Sequence, residues 1–231
     1  MEMINLNDKN YGQNYGFIHY QAKVNKFKKL KFENVPKDRT IIFVDNNFVK
    51  TIRPNDEDFL INNMTVNING SVFHQNQGLL NILVENLGRH DDGGQYHPIN
   101  ARKGINGAVF TDGHEVVDWK IFPLEFKKDF VNNLSNAQWK SCDSSNSLPA
   151  LYKANLVIKD KPKDTFLKYS DWTKGNVFVN GFNVGRYWFV GPQKTLYIPA
   201  PLLKTGHNDI YLFETKKGFK TIEFVDKPIL G

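Results

Sequence analysis

Short apolar runs alternate with clusters of asparagine, aspartate, glycine and proline along the chain. In the clearest case, an apolar run at 176–179 is followed by Asn180-Gly181 and by a second run that starts at Phe182. An Asn-Gly dipeptide between apolar runs is the strongest short signal for a β-hairpin, because both central residues of a type I′ turn have positive φ. Many short strands of this kind are typical of an antiparallel sandwich or jelly roll. The sequence therefore predicts an all-β fold.

Helical periodicity is rare in this chain. Residues 125–134, which follow Pro123, predict a short helix, and residues 201–206 predict a single helical turn that Gly206 ends. The polar, serine-rich stretch 141–147 predicts a loop.

The sequence repeats itself once. Three segments of the first half match three of the second half at offsets of 132, 135 and 128 residues, namely 20–24 with 152–156, 41–49 with 176–184, and 80–85 with 208–214. A period of this length is a whole domain, since solenoid repeats run at about 20 to 50 residues. We therefore predict two tandem antiparallel β-sandwich (jelly-roll) domains, at 10–122 and 123–231, with a boundary near Phe122 and Pro123.

Composition and charge exclude several classes of protein. The 231 residues are 40% apolar and 13% aromatic, which is typical of folded domains rather than of disorder. The net charge is +6, but the densest basic run, residues 23–31, alternates its lysines with apolar residues in the manner of a solvated strand. We therefore expect no nucleic-acid partner, since such proteins carry a clustered basic stripe and a recognisable motif.

Targeting signals are not visible. The first ten residues lack the apolar run of a signal peptide, and no segment approaches the ~20 apolar residues of a membrane span. The sequence thus predicts no membrane partner and a cytoplasmic location. The single cysteine, Cys142, stands in a polar loop without metal-spaced neighbours and is interpreted as an inert thiol.

Several longer motifs resemble the family 35 β-galactosidases. The most specific are residues 172–188 (WTKGNVFVNGFNVGRYW) and 191–199 (GPQKTLYIP). Further matches, in the same order along the chain, are 12–20, 83–89, 103–105, 118–124 and 224–229. The resemblance implies two galactose-binding-like jelly rolls packed against a catalytic (β/α)₈ barrel.

The barrel itself is not expected in this chain. A (β/α)₈ barrel typically needs about 250 residues of alternating strand and helix, and these residues already form β-rich repeats. A retaining glycosidase needs two carboxylates about 5 Å apart. The resemblance places both catalytic glutamates on barrel strands, and no position here matches their motifs. The acids of the first sandwich are also not paired with one another by their spacing; they are Glu85, Asp91, Asp92, Glu115 and Asp118.

We therefore predict a chain with no catalytic residues, no metal site and no cofactor, whose partner is a barrel domain or polypeptide. A truncated polypeptide and a split-gene product both fit this prediction. A free-standing module that binds galactosides and a hydrolase in its own right stay open as alternatives.

The richest polar cluster is residues 90–97, which contain the candidate ligand-binding residues His90, Asp91, Asp92, Tyr96 and His97. The resemblance implies a tyrosine here that reaches the sugar site of the barrel. Alignment on Gly88-Arg89 puts an aspartate, Asp92, in its place, and Tyr96 could substitute for it. A solvated turn, with the aspartates capping backbone amides, is the alternative. A metal site is disfavoured because the histidines and aspartates lack tetrahedral ligand spacing.

A second candidate is the pair Arg186 and Trp188, which together with Tyr187 between them could form an aromatic platform for a sugar. The alternative is that this strand belongs to the core or to an interface. Trp119 and Trp172 are interpreted as packing residues. Glu85 and Asn86 are expected to shape the following loop through hydrogen bonds rather than to contact a ligand.

Overall fold

The computed structural model describes residues 13, 15–53, 63–88, 102–142 and 149–231. The chain divides into two compact units, Met1–Glu125 and Phe126–Gly231. Pro123 therefore falls inside the first unit, in a strand at the edge of its sheet. An edge strand tolerates proline because the missing N–H would otherwise face solvent.

The first unit consists of nine described strands in two antiparallel sheets. One sheet has the order β4-β3-β6-β1-β9 and the other has the order β5-β2-β7-β8. The strands are β1 (Gly16–Asn25), β2 (Lys29–Phe32), β3 (Arg39–Val44), β4 (Asn47–Ile52), β5 (Thr65–Asn67), β6 (Gln77–Asn86), β7 (Val109–Thr111), β8 (His114–Glu115) and β9 (Lys120–Leu124).

The two sheets of this unit enclose one apolar core. Tyr20, Ile42 and Ile82 stand side by side on the inner face of the larger sheet. Leu30 and Phe32 of the smaller sheet belong to the same buried cluster. Lys29 and Lys31, which alternate with these two residues along the strand, are exposed, as the sequence pattern predicts.

The second unit contains seven described strands, again in two antiparallel sheets. Their orders are β10-β15-β12-β13 and β14-β11-β16. The strands are β10 (Ala150–Ile158), β11 (Thr165–Lys168), β12 (Lys174–Val179), β13 (Phe182–Trp188), β14 (Thr195–Ile198), β15 (Gly206–Glu214) and β16 (Glu223–Val225). The prediction of two tandem all-β sandwiches is confirmed.

The predicted hairpin is present, and so is the repeat. β12 and β13 are joined at Asn180 and Gly181, which have φ of 48° and 84°. The order β13-β12-β15-β10 reproduces β4-β3-β6-β1 of the first unit. Both hairpins also carry a register shift at the same place, between Ile42 and Phe43 in one unit and between Val177 and Phe178 in the other.

One of the three repeat offsets was wrong. Ile82 pairs with Tyr20 and Ile42, whereas Leu212 pairs with Tyr152 and Val177. The third pair of segments is therefore related by 130 residues rather than 128. A slip of two residues keeps every side chain on its own face of the sheet, so the apolar pattern alone does not detect it.

The predicted helix is confirmed and lies in the second unit. Helix α1 (Lys128–Asn133) continues into a 3₁₀ turn at Leu134–Asn136. The preceding Phe126 is buried, and its ring meets those of Phe178 and Phe213 on the outer face of the four-stranded sheet. The second helical prediction is confirmed as a 3₁₀ turn at Ala200–Leu202.

Within the described residues, no helix is long and apolar enough to cross a membrane; α1 has only six residues.

His19 is a pH-sensitive element of the first unit. Its ring lies between Phe43 and Phe122, and its Nε2 is 3.0 Å from the Asn81 Oδ1 atom. Burial lowers the pKa of His19 below its ordinary value of 6.5, although the Asn81 hydrogen bond opposes this shift. The folded state thus binds fewer protons than the unfolded state as the pH falls through 6.5.

We therefore expect the free energy of unfolding of the first unit to be greatest above pH 6.5 and to decrease on acidification. Urea titrations at pH 7.5 and 5.5 measure this decrease. His19→Phe should reduce it, since phenylalanine fits between the same rings and Gln21 still donates to Asn81. A matched control, exposed His114→Phe, should leave it unchanged; an equal change in both variants would contradict the assignment.

Candidate functional site

Five predicted ligand-binding residues, His90, Asp91, Asp92, Tyr96 and His97, lie outside the described residues. The structure does describe the chain on either side of them: β6 and the residues to Gly88 come before, and the description resumes at Arg102. These flanking segments show how the fold anchors both ends of this stretch.

Asp38 binds both flanking segments at once. One carboxylate oxygen, Oδ2, accepts a hydrogen bond of 2.7 Å from the backbone N–H of Leu87, and the other, Oδ1, lies 2.5 Å from the Lys103 Nζ atom. The side chains of Lys103 and Asp38 are only 6% and 11% exposed. A buried, charge-assisted contact of this kind is much stronger than an ion pair at the surface.

A second ion pair lies beside the first. The Arg39 guanidinium is 3.5 Å from the Glu85 carboxylate, and both side chains are almost fully buried. The Asp38 N–H donates to the Glu85 carbonyl, which joins the two pairs through the backbone. Buried charges require partners of opposite sign, and this end of the sandwich carries two cations and two anions in contact.

The residues around Asn86 and Lys103 complete the anchoring. Asn86 Oδ1 accepts from the Gly88 N–H at 3.0 Å, which matches the predicted loop-shaping role of the amide. On the other side, Gly104 exchanges backbone hydrogen bonds with Lys37, and Ile105 N–H donates to the Tyr20 hydroxyl. Both ends of the stretch are thus fixed on the rigid sheet.

The Gly-Gln motif near the N-terminus reinforces the same end of the sheet. Gln13 Nε2 donates to the carbonyls of Phe17 and Leu124, which lie on adjacent strands β1 and β9. Gly16 has a φ of 90°, and a Cβ there would lie 2.4 Å from the Leu124 oxygen. Among the described residues, the buried Gln13 Oε1 and Asn86 Nδ2 atoms have no hydrogen-bond partner.

Arg186 and Trp188, the other two candidates, lie on β13, an edge strand of the second unit. Arg186 is exposed and Trp188 is half-buried. The Lys174 ammonium lies 4.5 Å from the centre of the Trp188 ring, so one ring face already holds a cation. Only the other face could stack on a sugar, and ligand binding at this pair stays a prediction.

Glu214 organises the interior next to these residues. Its buried carboxylate accepts hydrogen bonds from the backbone N–H groups of Thr173, Lys174 and Lys216 and from the Tyr187 hydroxyl. Burial raises the pKa of Glu214, while these hydrogen bonds oppose the shift. Burial also raises the pKa of Tyr187 well above 10.0, so its hydroxyl remains a donor. Glu214 therefore has a structural role.

Trp119 and Trp172 are packing residues, as predicted. Trp172 is buried in the second core, and its Nε1 donates to the Thr221 carbonyl at 2.9 Å. Trp119 packs edge-to-face on Tyr20, and its Nε1 donates to the Val116 carbonyl.

Sequence reasoning missed Asp38, Lys103 and Glu214, and it assigned Tyr187 to a sugar platform, whereas Tyr187 is buried and its hydroxyl donates to Glu214. Apart from the Lys216 N–H, which donates to Glu214, the partners of Asp38, Lys103 and Glu214 are 27 to 65 residues away in the chain, and no short motif encodes them. The repeat did contain one signal for buried charges. Arg39 and Lys174 are basic residues at equivalent positions, at the offset of 135, and both are buried. Within the described residues, no group of three or more potential metal ligands is found.

Two family models match the chain. Residues 6–125 match the model described as "Beta-galactosidase, first all-beta domain", and residues 149–208 match the one described as "Beta-galactosidase, galactose-binding domain". Human "Beta-galactosidase-1-like protein 2" is 34% identical over 231 residues, which is 100% of this chain and 34% of that protein. Human "Beta-galactosidase" is 32% identical over 248 residues, covering 95% of this chain and 35% of that protein. The chain thus spans about a third of the length of these relatives.

Among solved structures, a lectin from Pleurotus ostreatus aligns with 91% of this chain and 75% of its own, at 12% identity and a TM-score of 0.28. An α-L-rhamnosidase from Streptomyces avermitilis aligns with 88% of this chain and 22% of its own, at 11% identity and a TM-score of 0.31. Both TM-scores are too low to indicate a shared fold.

Proposed function

The chain belongs to the β-galactosidase family, and from this membership we propose that it is a non-catalytic β-sandwich region that braces a catalytic (β/α)₈ barrel. In this proposal the first sandwich also forms part of the wall of the sugar pocket. The barrel belongs to a further domain or to a separate polypeptide.

The anchored end of the first sandwich is the observation that carries this proposal. The contacts of Asp38 with Leu87 and Lys103 fix the segments on both sides of 90–97, which gives this end of the sandwich a rigid base. Sites supported by rigid elements hold their geometry better than free loops do.

The state of the buried acids supports a non-catalytic role. A retaining glycosidase requires two carboxylates about 5 Å apart that face a substrate. Asp38 and Glu85 instead each pair with a cation, and Glu214 accepts backbone N–H groups and a tyrosine hydroxyl. These contacts use the carboxylates to hold the fold together.

A chimera tests the bracing function. The matched third of human "Beta-galactosidase" is replaced by this chain, and hydrolysis of a nitrophenyl β-galactoside is compared with that of the same relative lacking the region. We expect the chimera to be soluble and at least about tenfold more active than the deletion if the sandwiches brace the barrel. This chain alone should show no turnover.

A chimera that carries only residues 126–231 is the internal control, because it lacks the anchored end of the first sandwich. Equal activity of the two chimeras, or no gain over the deletion, would contradict the proposal. Turnover by the isolated chain that a single carboxylate substitution abolishes would favour a hydrolase instead.

A second candidate is a free-standing module that binds galactosides. The match of residues 149–208 to the galactose-binding domain model favours it. Titration with galactose or lactose, followed by NMR, separates it from a pure scaffold, since only a module gives saturable shifts at millimolar sugar.

A further inference from the structure

The outer face of the three-stranded sheet β14-β11-β16 carries an aromatic pair, the exposed Tyr197 and the half-buried Phe166. Phe166 lies directly opposite Tyr197 on one side and Val225 on the other. Tyr197 is 49% exposed, while the alternate residues Leu167, Leu196 and Ile198 point into the core. A β-sheet face that borders water normally carries polar residues at these positions, so the aromatic pair requires an explanation.

Tyr197 is held in a fixed orientation. Its hydroxyl donates to the Asp164 Oδ2 atom at 2.8 Å, and the other oxygen, Oδ1, accepts from the Ala200 N–H at 2.8 Å. The Tyr197 and Phe166 ring centres are 5.4 Å apart, with 44° between the ring planes. An exposed tyrosine that is tied down in this way loses little conformational entropy when a ligand stacks on it.

Hydrogen-bonding groups lie next to the rings. The Ala200 and Tyr197 hydrogen bonds lower the pKa of Asp164, so its carboxylate is ionised and accepts further hydrogen bonds at its free lone pairs. Lys168, two residues beyond Phe166 on the same face, uses one of its three N–H donors for Glu223 at 2.8 Å. The rings are thus bordered by both acceptors and donors.

We propose that Phe166, Tyr197 and Asp164 form a binding site for the pyranose ring of a galactoside. This inference rests on the second candidate function above and gives that module its site. The apolar C–H face of a galactopyranose stacks on the two rings, while its hydroxyls reach Asp164 and Lys168. Small-ligand sites combine an apolar surface with a few well-placed polar groups in this way.

The size of the patch favours a sugar over a protein partner. A stable protein interface buries about 800 Å² on each partner, whereas one aromatic side chain supplies about 150 to 250 Å². Charged residues border the two rings at Asp164, Lys168 and Glu223, and taking these charged groups out of water carries a desolvation cost that disfavours a dry interface. Two rings with a charged border match one or two sugar units.

The test is an NMR titration of the full chain with lactose, with maltose as a sugar that lacks galactose. We expect saturable shifts in the ring signals of Phe166 and Tyr197 with lactose only. Tyr197→Ala should weaken binding by about tenfold or more, because it removes the stacking surface. Tyr197→Phe keeps the ring but loses the Asp164 bond, so a smaller loss, of about two- to fivefold, is expected.

The matched control is Phe182→Ala in the same unit. Phe182 is 53% exposed, and no ring contact or carboxylate bond holds it in place among the described residues. The Phe182→Ala variant should bind lactose with unchanged affinity. An equal loss in Phe182→Ala and Tyr197→Ala would overturn the site.

The other outcomes separate this site from the proposed functions. Saturable shifts at Trp188 or at residues 90–97, without shifts at Tyr197, would overturn the site and leave the module intact. No binding of any galactoside would overturn both the site and the module, whereas the bracing function would still be decided by the chimera.

Discussion

Gly175→Ala is expected to disrupt the second sandwich. A Cβ at this position would lie 1.6 Å from the backbone oxygen of Phe213 and 2.8 Å from the Tyr187 hydroxyl. The first of these atoms belongs to β15, the central neighbour of β12, so it cannot move without breaking the sheet. We expect a loss of more than about 4 kcal/mol in the free energy of unfolding, a magnitude reserved for severe steric or electrostatic faults.

The measurement is urea unfolding followed by circular dichroism, with hydrogen exchange of β12 and β15 as a local readout. Gly70→Ala is the control, since among the described residues the atoms near its added Cβ belong to the flexible end of Lys26; its cost should stay within about 1 kcal/mol. A loss of less than about 1 kcal/mol for Gly175→Ala would show that the strands can separate without cost.

The equivalent position of the first sandwich explains why glycine is required only once. At the offset of 135, Gly175 corresponds to Thr40, which is fully buried and pairs with Val84. The shared fold therefore accepts a side chain here. In the second sandwich the partner residue is Glu214, and the Phe213 carbonyl and the Tyr187 hydroxyl, which donates to Glu214, occupy the space that a side chain at Gly175 would need.

The elements that depend on local chemistry could be predicted from the sequence. Asn180-Gly181 encodes its own turn, because both residues adopt the positive φ that a type I′ hairpin needs. The alternation of lysines with Val24, Phe27 and Leu30 predicts exposed lysines and buried apolar residues, and the structure has both. Such signals involve neighbours in the chain, so no knowledge of the tertiary structure is required.

The elements that depend on distant partners could not be predicted. The repeat indicated β15 but misplaced it by two residues, since a slip of two residues leaves the apolar pattern of a strand unchanged. The carboxylates of Asp38 and Glu214 look like ordinary surface acids in the sequence, and only the fold brings their donors to them. The Phe166 and Tyr197 pair likewise arises from strand order, because 31 residues separate the two rings.

Neutralising one member of the Asp38–Lys103 pair is expected to destabilise the first sandwich by about 3 to 5 kcal/mol. In Asp38→Asn the Lys103 ammonium stays buried without its anion, and in Lys103→Met the Asp38 carboxylate keeps only the Leu87 N–H. The double variant Asp38→Asn/Lys103→Met removes both charges, so it should be more stable than the sum of the two single changes predicts. We expect a coupling energy of about 2 kcal/mol or more from this cycle.

The same cycle tests whether the pair anchors the predicted ligand-binding stretch. Hydrogen exchange at the Leu87 and Ile105 amides reports on its two ends, because Leu87 donates to Asp38 and Ile105 donates to the Tyr20 hydroxyl. Each single variant should accelerate exchange at both amides, whereas Lys153→Met, which breaks an exposed ion pair in the second unit, should change neither amide. Faster exchange at Leu87 alone would mean that Asp38 caps one strand end without holding the other. A rigid base on both sides of residues 90–97 requires the Leu87 and Ile105 amides to respond together.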